Sequence, residues 1–140
     1  MSSRLASTAA FSRRRLLQAG LAWLVTPRRT AFAWPALRHP EPRAGVTAAA
    51  VLPASRFATD PSVSRVFDMA RAIPRVFDGL ACVCDCGHSM SHRSLLACYE
   101  TEQPATCPGC QDEARLAHRL HARGESLAQI REAVDRAFGR

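Results

Sequence analysis

Apolar residues recur at helical spacing in the second half of the chain, each run bracketed by turn or capping residues. Thr59-Asp60-Pro61 opens the first run, with Asp60 placed to cap a helix and Pro61 suited to its first position. Val63, Val66, Phe67, Ala70 and Ile73 then form one apolar stripe, which predicts a core helix. Pro74 breaks or kinks it, Val76 and Phe77 add apolar anchors, and Asp78-Gly79 turns the chain into a cysteine-dense stretch. Residues 91–99 predict a two-turn helix with Leu95, Leu96 and Tyr99 facing inward, followed by a polar loop around Pro104. Cys107-Pro108-Gly109-Cys110 opens a long helix over residues 111–123, which Gly124 stops from a C′ position. Ser126 and Gln129 make a capping box for a final helix with Ile130, Val134, Ala137 and Phe138 on its buried face. The fold class that follows is all-α: a small domain of three to four helices, residues 59–140, wrapped around a cysteine-rich knuckle.

The pattern upstream is of another kind. Residues 1–33 have the three parts of an export signal: a basic start, a weakly apolar run over residues 16–25 and a small-residue site at Ala31-Phe32-Ala33. Ser12-Arg13-Arg14-Arg15-Leu16-Leu17 resembles the twin-arginine consensus, and Arg28 and Arg29 sit where such signals tolerate positive charge. The apolar run is far shorter than the ~20 residues of a membrane span, and no cysteine near the cleavage site offers a lipid anchor. Residues 34–58 are rich in Pro, Ala and Arg, with Pro35, Pro40, Pro42 and Pro53 spaced so that no helix runs through. They are expected as a flexible, disordered leader in which only residues 46–52 are apolar enough to pack on the domain, as one extended segment.

Removing the signal changes the meaning of the charge. The chain carries +7, with nineteen basic residues, all arginine, against twelve acidic ones. Six of the arginines lie in the signal and none of the acids does, which leaves thirteen against twelve and a net charge of +1. The basicity therefore belongs to the export signal, and no nucleic-acid partner is implied. The partner that is implied is the twin-arginine translocase, and the expected location is periplasmic or otherwise extracytoplasmic.

All six cysteines fall within residues 82–110, as Cys82, Cys84, Cys86, Cys98, Cys107 and Cys110, with His88 and His92 among them. A tripled C-x-C followed by a C-x-x-C means bound metal, thiol redox work or a disulfide framework. For metal, cysteines at i, i+2 and i+4 of an extended segment lie on one side, ~6–7 Å apart. Soft thiolates select Cu(I) and Zn(II), and a C-x-x-C at a helix start is a common zinc half-site. On this reading all six cysteines are ligands, with His88 and His92 completing a mixed site. For redox work, Cys107 and Cys110 are the exchanging pair, the helix N-terminus lowering the pKa of the first. As staples, six cysteines allow three disulfides in fifteen connectivities, suited to an oxidising compartment and to a core of ~80 residues that is marginal on apolar burial alone. Asp112 and Glu113 are read as first-turn acids that favour the helix dipole, and Arg115, His118, Arg119 and His121 as a solvated face. With no Ser-His-Asp set, phosphate loop or dinucleotide fingerprint, an enzyme is the weaker class.

Five blocks in this order resemble a bacterial exported family named for a P-C-Y-C-G-C motif. They are Cys82-Val83-Cys84-Asp85-Cys86-Gly87, His92-Arg93-Ser94, Cys98-Tyr99, Cys107-Pro108-Gly109-Cys110-Gln111, and Gly124-Glu125-Ser126 with Ile130-Arg131. Ala81 replaces the leading proline of the motif, and Val83 and Asp85 replace its tyrosine and glycine, while every cysteine is kept. The resemblance covers about residues 60–139 and implies the domain boundaries and the cysteine set, without implying a reaction. Residues 107–139 are also similar to the thiol reductase of cytochrome c maturation, which has a C-x-x-C-Q before a helix, a G-x-S turn and another helix.

The export reading predicts that protein recovered from the periplasm begins at Trp34, and that replacing Arg13 and Arg14 together by Lys leaves the precursor in the cytoplasm. N-terminal sequencing and fractionation check both, and normal export of the double variant through the general secretory route would refute the twin-arginine assignment.

Overall fold

Five helices carry residues 37–84 and 92–139, the part of the chain that the computed structural model describes, and no strand occurs among the described residues. The export signal, its cleavage site, Cys86 and His88 lie outside the described residues. Helix α1 spans Pro61–Ala72, α2 Pro74–Asp78, α3 Leu95–Tyr99, α4 Pro108–Ala122 and α5 Leu127–Phe138. Short 3-10 turns at Ala48–Ala50 and Ala54–Phe57 precede α1, and another at Gln103–Ala105 lies between α3 and α4. None of these helices is long and apolar enough to cross a membrane.

The caps follow the sequence signals. The Asp60 carboxylate accepts from the N–H groups of Ser62 and Val63 at 2.9 and 3.2 Å, and Pro61 stands first in α1. Pro74 divides the predicted stripe into two helices, because its ring cannot continue α1 but can open α2. Helix α3 starts later than the periodicity suggests: Ser94 has extended dihedrals and caps it, accepting from Ala97 N–H at 3.3 Å. Gly124 ends α4 with φ +83°, a left-handed conformation that a side chain would strain. Ser126 and Gln129 form the reciprocal capping box of α5.

Packing centres on Tyr99. Its ring meets those of Phe67 and Phe77 edge-on at 5.0 and 5.3 Å between centroids, and Phe57 stacks on Phe67 at 4.1 Å. The Tyr99 hydroxyl donates to the Cys110 carbonyl at 3.0 Å, so the aromatic core reaches directly under the C-x-x-C. Val63, Val66 and Ala70 of α1, Leu95 and Leu96 of α3, Ala114 and Ala117 of α4, and Ile130 and Val134 of α5 complete the buried set. Ala137 differs from expectation: it is exposed at the end of α5, and Phe138 is half-buried.

The larger correction concerns residues 37–58, expected as part of a flexible leader. They lie across the helices as a strap held by polar contacts, with Val51 and Ala54 buried. Leu37 N–H donates to Asp135 Oδ1 at 2.7 Å, and His39 joins the same oxygen through Nε2 at 3.2 Å. Arg131 reaches back to the Pro40 carbonyl at 2.6 Å, and Arg71 donates to the carbonyls of Ala48 and Val51 at 2.9 and 2.8 Å. Proline spacing ruled out a long helix here but could not reveal these arginines, which donate to the strap's carbonyls.

Asp78, fully buried at the end of α2, draws three segments together. It accepts from Arg43 N–H at 2.6 Å and Arg43 Nε at 3.1 Å, from Arg93 Nη1 at 2.8 Å, and from the Ser94 hydroxyl at 3.1 Å. Burial opposes its ionisation, but the Arg43 side chain and backbone, Arg93 and Ser94 outweigh burial and hold the carboxyl below its ordinary pKa. Beside Asp78, Gly79 admits the close approach of Leu127 and Pro42, since an added Cβ would lie 2.8 and 3.0 Å from their side chains.

Replacing Asp78 by Ala is expected to cost about 2–3 kcal/mol at pH 7, less than a wholly buried pair because both guanidinium groups are partly solvated. A depressed carboxylate contributes stability that is present above the unfolded pKa of about 3.9 and is lost as pH falls through the folded value. The gap between the two proteins in urea melts should therefore be full at pH 7 and close below about pH 4.

Candidate metal centre

Two chain segments build the site. Residues 81–84 leave α2 without regular structure, and Cys107 to Cys110 form the start of α4. Cys107 is the N-cap of that helix, its sulfur accepting from Cys110 N–H at 3.5 Å, so the C-x-x-C spacing follows from the first helical turn. Leu80 carbonyl accepts from Leu95 N–H at 2.8 Å, which brings the chain before and after the cysteine loop side by side. Cys98, on α3, thereby reaches the same place.

Cys82, Cys84 and Cys110 present three sulfurs that all lie within 4.8 Å of one another. The Cys82 and Cys84 sulfurs are 2.9 Å apart and those of Cys84 and Cys110 3.3 Å, while Cys98 approaches Cys82 at 3.4 Å. These separations are far longer than the about 2.05 Å of an S–S bond. They are somewhat shorter than the about 3.8 Å between sulfurs of a thiolate tetrahedron with zinc–sulfur bonds near 2.3 Å. Small rotations about the cysteine χ1 bonds open that difference, so the donor set fits a soft metal ion.

The thiols do not share protons evenly. Hydrogen bonds from the Cys110 and Cys98 side chains lower the pKa of Cys82 despite its burial, and the same pairing with Cys82 pushes the fully buried Cys110 up. Burial opposes ionisation of Cys107 too, but the Cys110 backbone N–H and side chain prevail and lower it.

Of the expected ligands, Cys82, Cys84 and Cys110 form the trio, with Cys98 beside Cys82 and Cys107 beneath it at the helix cap. His92 bonds Cys98 through Nδ1 at 3.3 Å, which places it one shell outside the trio. Arg115 is tied to Ser62, Gln111 and Asp112, more fixed than a solvated face implies. His118 and His121 do not join the sulfur group.

Glu113 is the residue that the sequence did not disclose. The pattern predicts a first-turn acid that favours the helix dipole, yet the helix begins earlier, at Pro108, and Glu113 is fully buried on its inner face three residues after Cys110. Its Oε2 accepts from Val83 N–H, between the first two cysteines, at 3.2 Å. Oε1 has no hydrogen-bond partner among the described residues. Burial, and after it the charge on Cys82, pushes its pKa well above the ordinary carboxyl range. This carboxyl pins the C-x-C backbone to α4. The helical period brings position 113 round to the side of Cys110, a weak signal that acid-at-N-terminus statistics outweighed.

Residues 43–140 match the family described as a protein of unknown function with PCYCGC motif. The chain belongs to this family. The match begins at Arg43, the strap residue that binds Asp78, so the PCYCGC domain includes most of the strap as well as the helices. No match was found among curated proteins or among solved structures.

If Glu113 orients the C-x-C segment, Glu113→Leu should speed amide hydrogen exchange at Val83 about fivefold to tenfold, equivalent to about 1 kcal/mol for a lost hydrogen bond. Glu113→Gln, which keeps an oxygen acceptor, should leave that amide protected. Equal exchange in both variants would show that the contact orients nothing.

Proposed function

We propose that this PCYCGC-family protein is an exported binder of a soft metal ion, Cu(I) first and Zn(II) second, serving metal handling or a structural role. The sulfur trio of Cys82, Cys84 and Cys110 carries the reading. Three thiolates suit Cu(I), and Cys98 or Cys107 supplies the fourth donor that a zinc site requires. Cys86, His88 and His92 complete the candidate ligand set. Export by the twin-arginine translocase to the periplasm suits such a protein, because that route carries folded cargo and permits loading before export. The near-neutral mature charge and the cleaved signal fit a protein that holds neither nucleic acid nor a stable membrane anchor.

One observation favours a second reading, thiol–disulfide exchange by Cys107 and Cys110. Cys107 is half-buried at a helix N-terminus with a lowered pKa, and Cys110 is buried behind it with a raised one. An accessible thiolate ahead of a buried partner is the arrangement an exchanging pair uses.

Protein isolated without added metal is expected to carry near-stoichiometric Cu or Zn by elemental analysis, with thiols that titrate only after chelation or denaturation. Cys84→Ser and Cys110→Ser should each lose the metal and lower the thermal midpoint, whereas His121→Ala should do neither. Metal-free protein with three disulfides would refute the proposal. A metal-free dithiol that equilibrates with a glutathione buffer, and stops doing so in Cys107→Ser, would establish the second reading instead.

A further inference from the structure

The members of the sulfur trio differ in access. Cys110 is wholly buried, as is Cys98 beside it, but Cys84 forms part of the wall of a cleft open to solvent. The cleft measures about 380 Å³ and is lined by Val83, Cys84 and Gly109 on one side and by Ala137, Phe138 and Gly139, the end of α5, on the other. None of these side chains is charged, and Val83 and Phe138 are apolar. Among the described residues this lining offers a hydrated cation no charge to offset the stripping of its water shell. The cleft accepts a slender, weakly hydrated soft ligand, and its volume lies within the range of sites that hold small molecules or side chains. Behind it the Cys84 sulfur is already 2.9 Å from that of Cys82 and 3.3 Å from that of Cys110.

Resting on the metal-binding reading above, we infer that this cleft is the exchange gate of the site, where a thiolate carrier of Cu(I) brings its sulfur against Cys84 and passes the ion inward. The step is ligand exchange without change of oxidation state. The Cys84–Cu bond forms as the carrier's S–Cu bond breaks, and the Cys84 thiol proton leaves with the carrier's released sulfur. Cys82, its sulfur 2.9 Å from that of Cys84, then displaces the remaining carrier sulfur, which leaves with the Cys82 thiol proton, and Cys110 closes on the ion as its own proton passes to solvent. Metal leaves by the reverse order, so the same gate serves a thiolate acceptor.

The test uses the full chain and Cu(I) supplied as its glutathione complex, with transfer followed by copper–thiolate absorption. Ala137 is exposed at the rim, so Ala137→Trp fills the cleft from a helical surface position without inserting bulk into the core; Ala128→Trp, exposed on the same helix, is the control. Ala137→Trp should load and unload at least about tenfold more slowly while the ratio of the two rates, and hence affinity, changes little. Ala128→Trp should behave as the unmodified chain. In metal-free protein, brief maleimide treatment followed by mass mapping should label Cys84 before Cys110, and Ala137→Trp should protect Cys84 selectively. This labelling decides the matter if the tryptophan variant loads poorly because its fold is disturbed. Unchanged transfer with unchanged Cys84 labelling in Ala137→Trp would overturn the gate and leave metal binding intact. Failure of the unmodified chain to take up Cu(I) at all would instead remove the metal-binding reading itself.

Discussion

A single buried carboxylate, Asp78, determines where the cysteines can be. It receives the strap through Arg43 and the returning chain through Arg93 and Ser94, from a position two residues before Leu80, whose carbonyl binds Leu95. The chain enters and leaves the cysteine loop at this point, so the loop has a closed base. A buried carboxylate is tolerated only when it is heavily hydrogen-bonded. Here that requirement is met by donors from two segments remote from Asp78 in the chain, the strap and the stretch that opens α3, which makes it a constraint on tertiary structure and not on one turn.

From that base the two cysteine motifs meet across a short distance, and a second buried carboxyl acts with opposite electrostatics. Arginines hold the Asp78 carboxyl below its ordinary pKa, whereas burial, and after it the charge on Cys82, pushes that of Glu113 well above the ordinary range. The first acid fixes the loop to the scaffold, and the second fixes Val83 to the helix that carries the C-x-x-C. The raised pKa favours the neutral form of this second acid, and a further negative charge beside the cysteines would oppose their ionisation.

The same geometry relates the readings of the cysteine stretch to one another. Sulfurs spaced for neither covalent pairing nor mutual isolation form a group that could hold a metal ion, and the gradient of burial from Cys84 to Cys110 gives the set an outside and an inside. The metal-binding and thiol-exchange readings would each draw on that gradient, since each needs one sulfur that meets a partner and another that is shielded from it. The aromatic core reaches this place through the Tyr99 hydroxyl, which ties the Cys110 carbonyl to the most deeply packed ring.

Local chemistry made much of this protein legible without a structure. The Asp60 cap, Pro61, Pro74, the Gly124 stop and the Ser126–Gln129 box act within one helical turn, so they are written in consecutive residues and the helices follow from them. The cysteine set and its family are legible for the same reason, because ligand spacing is a linear pattern. The strap was not, because its order comes from Arg71 and Arg131, which satisfy its backbone carbonyls, and from Asp135 and Asp78, which accept its N–H groups; Asp135 lies 98 positions from Leu37. Nor was Glu113, whose position looks like that of any first-turn acid until the C-x-C segment is laid over it. Which sulfurs converge, which carboxyl has its pKa raised and which cysteine faces water depend on burial and on partners distant in the chain. Desolvation and long-range hydrogen bonds exist only once the chain has folded, so the tertiary structure alone decided them.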